Sequence, residues 1–476
     1  MLDGLEAVEL KLSECKSIID FRIDANTYKK EYLKTDFLIK SKKPISIEKL
    51  SISVQNFGAY SLCNFINFTD KGIPFLMTEN IKHNYIDWNI QKYVDTESHT
   101  MLYKSHCKKE QVLVTMAGEY LGRVAVYDKD EVCSSNQAIA KITLKNGISP
   151  YIISTFLNSK HGQNQINRFR TITGQPNINM ALIKSLLIPF FSGKFKIEIE
   201  SLVKLSHQKL EDSKTLYKHA KEILLKELDL LDFEPSKDNI AIKSFSESFG
   251  KSGRLDSEYY QPKYDEIIKK IKSYKGGWKN IRDILSKNIK NGTTPKEIIK
   301  EYIKNSHYLL RAEAFNDNLT LNVDSLYSLN NKIFEKYKNI SVQQYDILVS
   351  MTGTIGNVAI VDKKINAIIN QNIVKLSVDK DIVDYKVLAI FMKTVGKQLL
   401  TREQTGNVQP YVNIANFSNL IVPIIDKNIQ TQISNKIQTS FNLKKESKNL
   451  LETAKRAVEI AIEQNEAEAI KFIEEF

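Results

Sequence analysis

A chain that repeats itself along its length must fold as copies of one unit, and this one does so at a spacing of 234 residues within 476. Sliding the sequence by that distance places Gly122 on Gly356, Asp128 on Asp362, Asn136 and Gln137 on Asn370 and Gln371, Gln175 and Pro176 on Gln409 and Pro410, Asn179 on Asn413, and Pro189 on Pro423. The register persists through Ser213, Leu216, Ala220 and Lys221, which fall on Ser447, Leu450, Ala454 and Lys455. Between positions 122 and 221 about two dozen identities occur where shared composition predicts roughly seven. Near the start of each copy the shift becomes 232, so that Arg22, Asp24, Tyr28 and Tyr32 match Arg254, Asp256, Tyr260 and Tyr264. The middles, roughly 33–110 and 265–345, align only through the short apolar stretches 75–77 and 308–310. Two binding lobes with one scaffold and different targets would diverge there, as would unconstrained loops.

Each copy closes with a long segment free of Gly and Pro. From about 195 to 232, apolar or small residues recur at Ile199, Val203, Ser206, Leu210, Ser213, Tyr217, Ala220, Leu224, Leu228 and Leu231. That alternating spacing of three and four is a coiled-coil-type seam, bounded by Gly193 and Pro235. From about 428 to the C-terminus the seam returns as Ile433, Ile437, Ser440, Ser447, Leu451, Ala454, Val458 and Ile462, with a weak turn at Lys444. Ahead of the helices, stretches 112–116, 124–127 and 139–144 read as strands, as do 347–351, 358–361 and 373–378, with short helices expected at 150–158 and 385–394. The fold class is therefore α+β: two globular lobes, 1–193 and 236–427, each with a curved, mostly antiparallel sheet, alternating with long helices over 194–235 and 428–476.

The net charge of +12 divides along these boundaries into +5, −1, +9 and −1 in chain order. The positive excess lies in the lobes, which makes a polyanion, nucleic acid before membrane, the first partner to consider. Balanced helices suit segments that pair with each other. The four cysteines (Cys15, Cys63, Cys107, Cys133) form no CxxC pair, no apolar stretch approaches a membrane span, and Met1 is followed by acidic residues, so a cytoplasmic protein is expected. A base-flipping amino-methyltransferase needs a Pro-Pro-aromatic loop, and the chain has no Pro-Pro pair. Gly250-Lys251-Ser252 has Phe245 where a P-loop requires its first Gly. His106 beside Cys107 lacks a second ligand pair, so neither a metal site nor a catalytic residue is expected.

Two loop types carry the candidate chemistry. Loops 116–122 and 351–356 follow strands, and their glycines either expose backbone N–H groups to a phosphate or serve only a tight hairpin. After each lobe's helix comes a basic, amide-rich segment: Arg168, Arg170, Thr173, Gln175 and Asn177 in the first lobe, and Arg402, Gln404, Thr405, Asn407 and Gln409 in the second. Such side chains suit phosphates and base edges, although amides in a crossover also satisfy backbone groups. In and beside the divergent middles, Lys92, Lys104, Lys108, Lys109 and Arg123, and Arg311, Lys332, Lys336 and Lys338, are further candidates for DNA contact or simply a solvated face.

The order of lobe, helix, lobe, helix, together with the Arg254 to Tyr264 run, the Gly356-Asn-Val-Ala-Ile360 stretch, the Thr-Gly…Gln-Pro segments and the helices after Pro189 and Pro423, resembles the specificity subunit of type I restriction-modification systems. The first lobe departs from the pattern in having no Gln-Pro after Tyr28. The resemblance implies two target-recognition domains that each read one half of a split, asymmetric DNA site. It also implies paired antiparallel helices that bind two methylation subunits, and a restriction subunit joining that core. S-adenosylmethionine, ATP and Mg would belong to those partners. A helix of about 36 residues spans roughly 54 Å, on the order of one to two turns of duplex DNA. A nuclease with an unrecognised active site, or a protein scaffold, are the alternatives.

Overall fold

The computed structural model describes residues 7–16, 18, 21–57, 60–171, 174–236, 240–304, 306–406 and 408–476. The chain divides into two units, one of residues 1–210 with 445–476 and the other of 211–444. The division falls inside both long helices, Gly193–Glu227 and Lys427–Glu463. The first unit is therefore built from both ends of the chain.

The first unit centres on an antiparallel sheet in the order Ser51–Gln55, Ile139–Leu144, Val112–Thr115, Val124–Val126. The second repeats it as Lys290–Asn291, Ile373–Leu376, Ile347–Ser350, Val358–Ile360. In each sheet the last three strands named are largely buried on both faces, which is why they read as mainly apolar runs, whereas the first strand named is not. Val112 and Val114 pack with Ile152 and Phe156 of helix Pro150–Asn158, while Leu113 and Ile139 join a separate core with Leu76 and Ile81. Likewise Ile347 and Val349 pack with Val387 and Leu388, and Leu348 with Tyr308 and Leu310. That second face belongs to a smaller sheet: Phe68–Thr69, Tyr93–Val94, Ile73–Leu76 and Ser134–Ser135 in one unit, and Tyr327–Leu329, His307–Leu310 and Ala367–Ile369 in the other. Each small sheet holds a parallel pair, with Phe75 opposite Ser134 and Tyr308 opposite Ala367. The divergent middles thus share this sheet at the one place where their sequences align.

The long helices close these cores. Ser192 and Asp426, equivalent under the 234-residue shift, cap them: the Phe195 N–H donates to Ser192 Oγ (3.3 Å) and the Asn428 N–H to the Asp426 carboxylate (2.9 Å). In the first unit Phe195, Ile199 and Val203 share a core with Ala454, Ala457 and Val458. In the second, Ala220 and Leu224 pack with Ile433, Ile437 and Phe441. Each core takes the start of one helix and the end of the other, so the two segments run antiparallel. Serines bond across the pair. Ser206 Oγ lies 2.9 Å from both the carbonyl and the hydroxyl oxygen of Ser447, and the Ser213 and Ser440 hydroxyls each donate to the other's carbonyl at 2.7 Å. The repeat maps Ser206 onto Ser440 and Ser213 onto Ser447, so one contact is built twice. At the weak turn, Lys444 Nζ donates to Asn318 Oδ1 (2.8 Å) and Thr320 Oγ1 (3.1 Å) and so anchors a loop.

Three expectations change. The second long helix stops at Glu463, and Asn465 caps a separate helix, Glu466–Glu474, by accepting the Glu468 N–H (3.0 Å). Leu231 lies beyond the end of the first helix and is exposed. The short helix at 385 runs on from Tyr385–Phe391 through a π-helical turn, Met392–Gly396, into Lys397–Glu403.

Between the two sheets of the first unit Lys141 is fully buried, its Nζ donating to Ser135 Oγ (3.1 Å). Its equivalent Lys375 donates to the Ser341 carbonyl (2.6 Å). Burial pulls the Lys141 amine down from 10.5 to about 8, partly opposed by the nearby Cys107 and Cys133 thiols.

Two predictions follow from this packing. Ser213→Ala removes one buried hydroxyl and should cost about 1 kcal/mol, whereas Ser213→Leu overfills the crossing and should cost about 1–3 kcal/mol; urea unfolding midpoints of the full chain read both. For Lys141 the folded state binds fewer protons than the unfolded one between pH 8 and 10.5, so this group makes stability rise with pH across that window. Lys141→Met should flatten the rise and gain most over the native chain below pH 8, as measured by unfolding at stepped pH.

Candidate nucleic-acid interface

Beyond the end of strand Val112–Thr115 the chain turns through 116–122 and leaves along Val124–Val126. Thr115 Oγ holds the base of this turn by accepting the Arg123 N–H (2.9 Å) and bonding the Tyr120 carbonyl. Ser350 does the same with the Asn357 N–H (2.9 Å) and the Thr354 carbonyl (2.5 Å). The second turn is one residue shorter, so the repeat spacing is 235 before it and 234 after it. Gly122 and Gly356 have φ of 83° and 77°, and a Cβ on Gly356 would come within 2.8 Å of Lys397. Glycine there serves the turn and its packing against the following helix.

The amide-rich segment is laid against this turn. In the first unit the Gly118 N–H donates to the Pro176 carbonyl (3.0 Å), the Ile178 N–H to Met116 (2.9 Å), and the Thr171 N–H to Asn177 (2.8 Å). In the second, Gly353 donates to Pro410 (3.1 Å), Val412 to Met351 (3.0 Å), and Thr405 and Tyr411 exchange bonds at 2.8 and 2.9 Å. Three equivalent backbone bonds thus recur in each unit, two joining the turn to the segment and one closing the segment on itself, while several of the side chains around them differ.

Arg170, Gln175 and Asn177 are exposed beside the first turn, and a Cβ on Gly118 would sit 3.0 Å from Gln175 Nε2. Arg123 is half-buried, its guanidinium 4.3 Å from the Tyr120 ring. In the second unit Gln409 is exposed while Gln404 and Thr405 are half-buried. Thr173 and Asn407 lie outside the described residues. Arg168 and Arg402 point back into their units. Arg168 Nε donates to the Thr27 carbonyl (3.1 Å) and its Nη1 lies 3.4 Å from Asp36, while Arg402 Nε donates to Tyr259 (3.1 Å) and its Nη2 to Asp265 (3.0 Å). Residue typing by charge and amide content passed over the apolar tip of the second loop, where Val408 is 100% exposed and Tyr411 48% exposed. An apolar residue between two amides in a Gly-Pro loop was the signal available.

The other basic candidates occupy different elements. Lys92 lies 4.9 Å from the Phe68 ring and Lys104 5.8 Å from Tyr103. Lys109 pairs with Asp130 (2.7 Å), and Lys108 and Lys109 line a cavity with His99, His106 and Tyr127. Arg311 pairs with Glu313 (2.9 Å) and Lys338 with Glu335 (3.0 Å), and Lys332 and Lys336 are exposed on helix Asn331–Lys336. Ion pairs this exposed contribute little to stability and leave the lysines able to exchange partners. Among the described residues no group of three His, Cys, Asp or Glu side chains is placed to hold a metal, and no helix is long and apolar enough to cross a membrane.

Residues 275–453 match the family model described as the type I restriction modification DNA specificity domain. No curated protein matches the chain. Among solved structures, the S subunit of a type I restriction-modification system from M. genitalium is 13% identical, with 88% of this chain and 94% of that chain covered and a TM-score of 0.41. The HsdS subunit from Thermoanaerobacter tengcongensis is 11% identical, with 89% and 96% covered and a TM-score of 0.28. A chain from work on complex assembly and conformational transition of the type I R-M system is 12% identical, with 89% and 96% covered and a TM-score of 0.29.

Proposed function

We propose that this chain, whose residues 275–453 match the type I restriction modification DNA specificity domain, reads a split, asymmetric DNA site, one half with each repeat. The observation that carries this reading is the loop pair built twice on the same backbone bonds, with a shared glutamine (Gln175, Gln409) but unlike neighbours, Arg170 and Asn177 against Gln404 and Tyr411. A common frame with different side chains is what two related readers of different base sequences require. Positive charge confined to the repeats supplies the sequence-independent part of DNA affinity.

In this reading the long helices set the distance between the two half-sites and dock two methylation subunits, and a restriction subunit joins the assembly. The chain itself is non-catalytic. Methyl transfer and cleavage, with S-adenosylmethionine, ATP and Mg, belong to the partners, and the assembly works in the cytoplasm.

Mapping adenine methylation in DNA from cells carrying this chain with its cognate methylation subunit should give one bipartite site with unlike halves. Replacing 236–427 by the corresponding lobe of another such subunit should change one half and leave the other untouched. A single continuous site, or a change in both halves, defeats the reading. The purified full chain should bind duplex DNA with an affinity that falls steeply with salt, by a log–log slope of about −0.9 per phosphate neutralised, and should transfer no methyl group alone.

A further inference from the structure

The matched motif at the start of each repeat, Arg22, Asp24 and Tyr28 against Arg254, Asp256 and Tyr260, lies far along the chain from the amide-rich loops, yet it ends on them. Arg22 Nη1 donates to the carbonyls of Phe169 (3.0 Å) and Arg170 (2.9 Å), the last residues of the helix that leads into the first loop. Arg254 Nη2 donates to the Gln404 carbonyl (2.7 Å) at the same place in the second unit. Helix C-termini leave carbonyls without intrahelical partners, and a guanidinium there is both donor and favourable charge.

The contact is reciprocal. The helix sends Arg168 and Arg402 back to the carbonyls of Thr27 and Tyr259 in the short turn inside the motif. Each motif arginine is aimed by its own aspartate, Arg22 Nε to Asp24 and Arg254 Nε to Asp256, both at 2.7 Å. Each motif tyrosine then locks the arginine's backbone, Tyr28 Oη donating to the Arg22 carbonyl (2.6 Å) and Tyr260 Oη to that of Arg254 (3.0 Å). In the second unit the Tyr259 ring lies between the two guanidiniums, 4.5 Å from Arg254 and 4.6 Å from Arg402. One residue beyond the latched carbonyls, Thr171 and Thr405 make the backbone bonds that close the loops.

We propose that this Arg-x-Asp-x-x-x-Tyr latch is a positioning device for DNA reading: Arg22 and Arg254 touch no DNA but fix the base of the loop that does, each for its own half-site. The proposal rests on the reading of the chain as a two-half-site specificity protein. A charge-assisted, bifurcated or bidentate bond of this kind cannot be reproduced by lysine, whose ammonium is a point donor. The motif is therefore expected to matter for geometry more than for charge.

The test uses the full chain with its methylation subunits and a short duplex carrying the mapped site, with mismatches placed in one half or the other. A wrong base pair ordinarily costs on the order of ten- to a hundredfold in affinity. Arg254→Lys and the milder Tyr260→Phe should lower affinity for the matched duplex and bring the mismatch penalty toward unity in one half-site only. Arg22→Lys and Tyr28→Phe should do so in the other half, and Tyr260→Phe keeps the second unit foldable if the arginine variant does not. The salt dependence should keep its slope, since no phosphate contact is lost.

In Arg22→Gln and Arg254→Gln, which remove the charge that lysine keeps, a slope that falls by about 0.9 per arginine replaced would mean direct phosphate contact and overturn the proposal. So would variants that melt at lower temperature yet discriminate both halves as the native chain does. If the native complex itself shows no bipartite site, it is the functional reading that fails, and the two failures are thereby distinct.

Discussion

One core in each unit of this protein is completed by two helix segments running in opposite directions. Phe195, Ile199 and Val203 from one helix and Ala454, Ala457 and Val458 from the other are buried in one core with the strands and helices of the lobe. Burying side chains such as Phe, Ile and Val contributes roughly 1.5–3 kcal/mol apiece. The second unit depends in the same way on Ala220 and Leu224 against Ile433 and Ile437. Because the helices approach through serines, their backbones come close enough for hydroxyl-to-carbonyl bonds across the seam. Small side chains at these positions are therefore a requirement of the crossing rather than a weakness in the seam.

With the inner strands of each large sheet buried, the turns at their ends are where this sheet meets solvent. The architecture answers this by tying one turn to one crossover segment through backbone bonds alone. Side chains such as Gln175 and Asn177 are then released from structural duty and remain exposed. Arg168 and Arg402 do the reverse, since their guanidiniums hold the helix ends in place. A basic residue in a basic loop is thus no guide to its task until its partners are known.

Strands 139–144, 112–115 and 124–126 were legible because they are short, mainly apolar and bounded by turns. The outer strands Ser51–Gln55 and Lys290–Asn291 were not, because the first is mostly polar with an exposed Ile52, the second is two exposed polar residues, and each pairs with a single neighbouring strand. The small sheets escaped notice for a similar reason: Ser134–Ser135 is a two-residue parallel pairing, invisible to any period of two. Asn465 shows the opposite case, a cap legible in principle but hidden inside a stripe that continues through Ile462 into the following helix.

What the amino-acid order determined alone is the duplication, the placing of positive charge, and the two long helices, because repetition, charge and periodicity are properties of the chain itself. Only the folded molecule decided which helix end completes which core, and that Arg22 and Arg254 meet carbonyls about 150 residues away. Those pairings depend on which orphaned hydrogen-bond groups and apolar surfaces come within reach of one another, and neither is a local property.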